Sequence, residues 1–200
     1  MNDFLEKFSY KSFWKRFSDL VMASVLIIIL LLPMLVIAAL IKVTSKGPII
    51  FKQVRFGKDS SSFEMYKFRT MKISTPLQSN NNFVDIARYL TLPGKFLRYA
   101  SLDELPQLFN VLKGDMSIVG PRPMADSDML VVKFREQNGA AQIRPGITGC
   151  AQVNGRNILS DRQKADYDGQ YAQNISLEGD IVILLKTVWS VYSMTGINHS

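Results

Sequence analysis

Apolar residues are concentrated in one block near the N-terminus. Leu20 to Ile41 is a run of 22 residues without a charge, in which only Ser24 and Pro33 fall outside the apolar set, with Asp19 and Lys42 at its edges. As a helix the run would be roughly 33 Å long at 1.5 Å per residue, enough to cross the hydrocarbon core of a bilayer. It exceeds the apolar stretch of a secretory signal, and no small-residue cleavage site precedes Lys42. A helix apolar on every face is also uncommon in the core of so small a soluble protein, so the run predicts a membrane segment. Pro33, near its middle, removes one backbone hydrogen bond and predicts a bend. Lys11, Lys15 and Arg16 precede the segment and Lys42, Lys46, Lys52 and Arg55 follow it, so the charge rule for orientation favours neither end. Charge and proline leave two topologies open: a kinked spanning helix, and a helix that bends and leaves by the face it entered.

The rest of the chain patterns as one compact unit, dividing the protein into a membrane element, residues 1–45, and a second domain, residues 46–200. Ile49 to Phe56 and Phe63 to Met71, joined by a turn of Gly, Asp and Ser, predict a β-hairpin. Helical patterning follows from Val84 to Tyr99, interrupted at Pro93-Gly94, with a further helix to Lys113 and Gly114 as its stop. Asp126 to Gln137 predicts another helix, and Ser160 with Gln163 forms a capping box for one reaching Gln173. Asp180 to Met194 is apolar but carries Lys186 and is too short to span, so core packing is favoured, with an interfacial role for Trp189 and Tyr192 second. The class is α+β, mainly α. Asn174-Ile175-Ser176 and Asn198-His199-Ser200 match the glycosylation triplet, which in a cytoplasmic domain is a chance match.

The composition, 24 Lys and Arg against 17 Asp and Glu for a formal charge of +7, points to anionic partners. No nucleic-acid motif or dense basic run is present, which disfavours DNA or RNA. One cysteine, Cys150, excludes intrachain disulfides and multi-cysteine zinc sites, and one histidine, the penultimate His199, argues strongly against serine-histidine catalysis and poly-histidine metal sites. Chemistry must come from Asp, Glu, Arg, Lys, hydroxyls or a hard, oxygen-bound cation.

Three constellations could carry such chemistry. Ser101-Leu102-Asp103-Glu104-Leu105-Pro106 places two carboxylates at a helix start. A capping box of Ser101 and Glu104 is the bland reading, but it would put Pro106 where an amide hydrogen bond is expected. A helix beginning at Asp103 removes that conflict and sets the acids in the positive end of the helix dipole, favouring their ionised forms as nucleophile or metal ligand. Gly120-Pro121-Arg122-Pro123 fixes an arginine in a rigid loop suited to bidentate capture of phosphate. Arg144-Pro145-Gly146 and Asn154-Gly155-Arg156 again embed arginines in glycine-rich backbone.

The proline-broken N-terminus together with YKFRTM, SLDELPQLFNVLKGDMSIVGPRP, RPGITG and QVNGRN resembles the bacterial sugar transferase family, the monotopic phosphoglycosyl transferases. The likeness runs from about Lys15 to Val191, and the chain resembles the small members that consist of the catalytic core. The resemblance implies an enzyme of the bacterial inner membrane whose reentrant helix breaks at Pro33 without crossing, with interfacial amphipathic helices and a catalytic domain on the cytoplasmic face. It implies transfer of a sugar 1-phosphate from a UDP-sugar to undecaprenyl phosphate with release of UMP, by way of a covalent aspartyl phosphosugar and with Mg2+. On this basis Asp103 is the nucleophile and Glu104 the magnesium ligand. Arg98, Arg122, Arg144, Arg156 and Asp168 are carried as substrate-binding candidates, Asp168 on the resemblance alone. Lys67 and Arg69 face either substrate or lipid headgroups or simply a strand partner. The family commonly has serine before the breaking proline, where Leu32 stands here. A UDP-sugar hydrolase, a catalytically silent membrane scaffold and a membrane-tethered nucleic-acid binder are the competing readings.

Overall fold

The computed structural model describes residues 10–75, 86–155 and 158–192. A π-helical turn, Tyr10–Trp14, leads into helix α1, Lys15–Thr44, which is continuous through Pro33. The expected bend therefore does not appear as a break in helical structure. Proline withholds the N–H that would reach the carbonyl of Ile29, but side chains on both sides of it are held by the body of the protein. Met22, Ala23, Leu26 and Ile27 pack on one core cluster, Met34, Ile37, Ala38 and Ile41 on a second, and Leu30 touches both. The opposite face of α1 is apolar and open, with Ile28 74%, Leu32 71% and Val43 86% exposed. A soluble core helix buries most of its surface; one that is apolar and exposed along one side fits a membrane element.

The start of α1 is latched by buried polar groups. Asp180 accepts hydrogen bonds from Tyr10 Oη at 2.7 Å and Tyr171 Oη at 2.6 Å and pairs with Lys15 Nζ at 2.8 Å. One turn further on, Asp19 Oδ1 accepts from the Ile118 amide at 3.0 Å. A buried carboxylate with three donors is stable where an unpaired one would not be.

Strands β1, Ile50–Phe56, and β2, Ser62–Phe68, form the expected antiparallel hairpin, with Ile50 opposite Phe68 and Phe56 opposite Ser62. Cross-strand partners share a face, so Gln53, Arg55, Met65 and Lys67 lie on one side of it. The helical patterning before Tyr99 resolves differently from the sequence expectation. Pro93-Gly94 opens a helix instead of interrupting one: α2 is Leu92–Tyr99, and the Thr91 hydroxyl caps it by accepting from the Gly94 amide. A 3-10 turn, Ile86–Tyr89, stands before it. Helix α3, Gln107–Lys113, ends as expected at Gly114, in the left-handed region at φ 100°.

A second sheet was not legible in the pattern. β3, Ser117–Val119, and β4, Gly146–Thr148, pair in parallel, with α4, Met129–Asn138, between them in sequence. At three residues each, they are too short for an alternation signal. The short α5, Cys150–Val153, precedes α6, Asp161–Gln173, which carries the expected Ser160 and Gln163 capping box. In α7, Leu177–Tyr192, Ile183 packs into the core, while Ile181, Leu185, Val188 and Trp189 are exposed, so the helix packs by one face only.

Candidate active site

The site is assembled where α2, the turn after it, the hairpin and the β3 loop meet. Gly94 is required because a Cβ there would stand 2.0 Å from the Thr70 carbonyl oxygen. That close approach seats α2 against the end of the hairpin, and Arg98 Nε donates to Thr70 Oγ1 at 3.0 Å. Ser101 then takes a left-handed conformation at φ 55° and makes no side-chain cap, so the capping-box reading of Ser101 and Glu104 does not hold. The two acids lie in a separate 3-10 turn, Leu102–Glu104, with Leu102 and Leu105 packed on the second core cluster beneath it. Pro106 immediately precedes α3, where its missing N–H costs nothing.

This placement corrects the expectation that a helix dipole favours ionised Asp103. Asp103 is 8% exposed and precedes α3 by a full turn. Burial pushes its carboxyl up to about 6 and Glu104 adds to the rise, while the positive charges of Lys67 and Arg98 oppose it. Glu104 is half-buried, and its Oε1 accepts from Lys67 Nζ at 2.7 Å. Of the two basic residues in YKFRTM, Lys67 thus belongs to the acidic pair. Arg69 turns to the C-terminal end of α1, donating to the Ser45 carbonyl at 3.0 Å and to its hydroxyl.

A cleft of about 440 Å3, open to solvent, is lined by Arg55, Lys67, Glu104, Gln107, Arg122 and Asp128, with Ile147 and Pro123 among its apolar walls. Asn110, fully buried, ties the hairpin to α3: its Oδ1 accepts from the Tyr66 amide at 2.9 Å and its Nδ2 donates to the Glu64 carbonyl at 2.7 Å. Asn110 thereby helps set the register between the hairpin and α3, alongside the contacts of Arg98 with Thr70 and of Lys67 with Glu104.

Arg122 is held through its backbone. A Cβ on Gly146 would stand 2.1 Å from the Gly120 nitrogen, so only glycine lets the first residue of β4 approach the loop after β3 this closely. The carbonyl of Arg122 accepts from Arg135 Nη1 at 2.8 Å, and Arg135 Nε donates to Asp168 Oδ2 at 2.9 Å. Asp168 is 1% exposed and does not line the cleft; it reaches the site only through Arg135. Arg144 is also elsewhere: its Nε donates to the Gly114 carbonyl at 2.9 Å, closing the end of α3. Arg156, the loop at Asn80 to Asn82, His199 and the second glycosylation triplet lie outside the described residues.

Sequence reasoning passed over Arg55, Gln107, Asn110, Asp128 and Arg135. Only Arg55 had a signal, since two-residue alternation along the hairpin puts it on the face of Lys67. Among the described residues no three His, Cys, Asp or Glu side chains gather as a metal cage. Magnesium needs only one or two carboxylates when substrate phosphates complete its shell, and Glu104 and Asp128 in one cleft fit that requirement.

The family model of bacterial sugar transferases matches residues 10–194. The chain is 39% identical over 187 residues to the UDP-glucose:undecaprenyl-phosphate glucose-1-phosphate transferase of Klebsiella pneumoniae, covering 88% of this chain and 39% of that protein. It is 41% identical over 191 residues to a Caulobacter vibrioides protein of the same description, covering 88% of this chain and 69% of that one. It is 40% identical over 186 residues to an uncharacterized sugar transferase of Bacillus subtilis, EpsL, covering 93% and 91%. The chain thus spans about two fifths of the Klebsiella relative and nearly all of the Bacillus one.

Proposed function

Because the chain belongs to the bacterial sugar transferase family, we infer that it transfers a sugar 1-phosphate from a UDP-sugar to undecaprenyl phosphate. The observation that carries this reading is the buried Asp103 next to Glu104, which with its partner Lys67 lines a cleft that also holds Arg55 and Arg122. In the first step an Asp103 carboxylate oxygen attacks the β-phosphorus of the donor. The bond from that phosphorus to the bridging oxygen breaks, UMP leaves, and the phosphosugar stays on Asp103. In the second step an oxygen of undecaprenyl phosphate attacks the same phosphorus, the aspartyl bond breaks and the carboxylate is restored. No proton acceptor of the histidine type is needed, because nucleophile and acceptor are both anions and the demand is for positive charge. Lys67, Arg98 and Arg122 supply part of it. Magnesium held by Glu104 would neutralise charge on the diphosphate.

The membrane element suits this chemistry. Both halves of α1, before and after Pro33, pack on the same body that carries Asp103, while its other face is apolar and open. That arrangement supports a membrane helix whose two ends stay with the catalytic body on the cytoplasmic face of the inner membrane, the reentrant reading, beside a lipid-borne acceptor. The turn such a helix needs at Pro33 is not a break in α1.

The test is UMP release by detergent-purified protein with magnesium and a panel of UDP-sugars, with and without undecaprenyl phosphate, for wild type and Asp103→Asn. Release that needs both the acceptor and Asp103 is expected. Release without the acceptor would make the protein a hydrolase, and a silent, folded wild type would remove the catalytic reading. Cysteine labelling of the two flanks of α1 from opposite sides of the membrane tests the topology, with access from a single side expected.

A further inference from the structure

Arg55 is unusual in its surroundings. It lies on β1, lines the cleft, and donates from Nη2 to Gln53 Oε1 at 2.7 Å, while its buried Nε has no partner. Arg122 lines the same cleft. Among the described residues no carboxylate lies within ion-pair distance of either guanidinium. Burial and then the charge of Arg122 work against the protonated form of Arg55, and Asp128, Asp126 and Glu104 oppose them. Two like charges brought together with an unsatisfied buried donor are costly unless an anion joins them.

We propose that Arg55 and Arg122 form a two-guanidinium clamp for the diphosphate of a nucleoside diphosphate, with Gln53 fixing the plane of the Arg55 fork. Each planar guanidinium presents paired donors that match one phosphate, and a diphosphate offers two phosphates in sequence. A lipid phosphate is the other source of such an anion. The cleft favours the nucleotide, since most of its lining is polar or charged and a polyprenyl chain would need apolar walls. The choice of nucleotide rests on the transfer reaction inferred above.

Calorimetric titration of UDP in magnesium, on an Asp103→Asn background that cannot turn over, reads the clamp directly. Arg55→Gln is expected to weaken UDP binding on the order of 10- to 100-fold, the size of one or two lost charge-assisted hydrogen bonds. Arg55→Lys, which keeps the charge and loses the fork, is expected to weaken it roughly 10-fold. Gln53→Ala should weaken it by less, and carries the test if an Arg55 variant does not fold. Unchanged UDP affinity in a folded Arg55 variant overturns the proposal. So does an Arg55→Lys enzyme, with Asp103 intact, whose KM rises for undecaprenyl phosphate while UDP affinity holds, because the clamp would then serve the lipid. A wild type that binds UDP through Arg55 yet transfers no sugar phosphate would leave the clamp standing and remove the transfer reading.

Discussion

Lys67 Nζ lies 2.7 Å from Glu104 Oε1, with the two side chains 17% and 19% exposed. The pair joins strand β2 to the turn that carries Asp103, so one cation serves two carboxylates: it neutralises Glu104 by contact and lowers the pKa of Asp103 from a distance. A half-buried pair is less screened than a surface ion pair. Its loss therefore changes charge at the nucleophile as well as the anchoring of the hairpin.

Lys67→Met removes the positive charge and keeps much of the apolar stem. Asp103 then loses the largest influence holding its carboxyl down, and its pKa, already about 6, rises further. The expected result is a kcat/KM for UMP release lower by on the order of 100-fold at pH 7, about 3 kcal/mol. The acidic limb of the pH profile should also move upward, so that part of the activity returns by pH 8.5. An unmoved limb would make Lys67 a structural anchor only.

Asp103→Asn should stabilise the protein while abolishing transfer. The folded carboxyl titrates at about 6 against 3.8 in the unfolded chain, so between those values the native state binds the extra proton and stability falls as pH rises. The penalty is absent below pH 4 and complete above pH 6. At about 1.4 kcal/mol per unit, the substitution removes about 2 to 3 kcal/mol of it at pH 7.5, a rise of several degrees in Tm. Thermal scans with chelator present, at pH 7.5 and pH 4, check it: the gain should appear at the first and vanish at the second.

How much of this site was legible in the sequence depended on whether a residue's job was local. Gly114 as a helix stop, Ser160 with Gln163 as a cap, and the hairpin alternation are settled within a few neighbours, and the structure bears them out. Pro93-Gly94 was misread because a proline that breaks a helix interior also opens one, and Thr91 as its cap decides between them. Arg122, Arg144 and Asp168 look alike as charged residues in glycine- and aspartate-rich stretches. Their separation into cleft, helix end and buried brace depends on Arg135 and Gly114, which lie 13, 30 and 33 residues away from the groups they meet. No local pattern encodes contacts over such distances.

Asp168→Asn tests the brace behind Arg122. Losing one partner of a buried pair leaves Arg135 desolvated without its counter-charge, an expected cost of about 3 to 5 kcal/mol. The paired change Arg135→Met with Asp168→Leu removes both charges and should recover most of that stability. It should not recover the KM for UDP-sugar, because replacing Arg135 removes the donor to the carbonyl of Arg122. Recovery of both stability and KM in the double variant would show that the brace does not position the loop.

Asp180→Asn tests whether α1 is an independent anchor or part of the catalytic body. The carboxylate collects Lys15, Tyr10 and Tyr171, and Tyr171 Oη lies 3.2 Å from the carbonyl of Val119, next to Gly120. Asparagine keeps an acceptor for one hydroxyl but leaves Lys15 as a largely buried cation whose remaining carboxylate partner among the described residues is Asp19, 3.6 Å away. The expected outcome is a loss of about 2 to 4 kcal/mol in detergent. Proteolysis should open first at the start of α1, and activity should fall in proportion to the folded fraction. If α1 were a separate anchor, the variant would instead shed its N-terminal segment to protease while the remaining body kept its Tm. Such an outcome would also weaken the case for a helix that stays on one side of the membrane, since that case rests on α1 and the catalytic body being one packed unit.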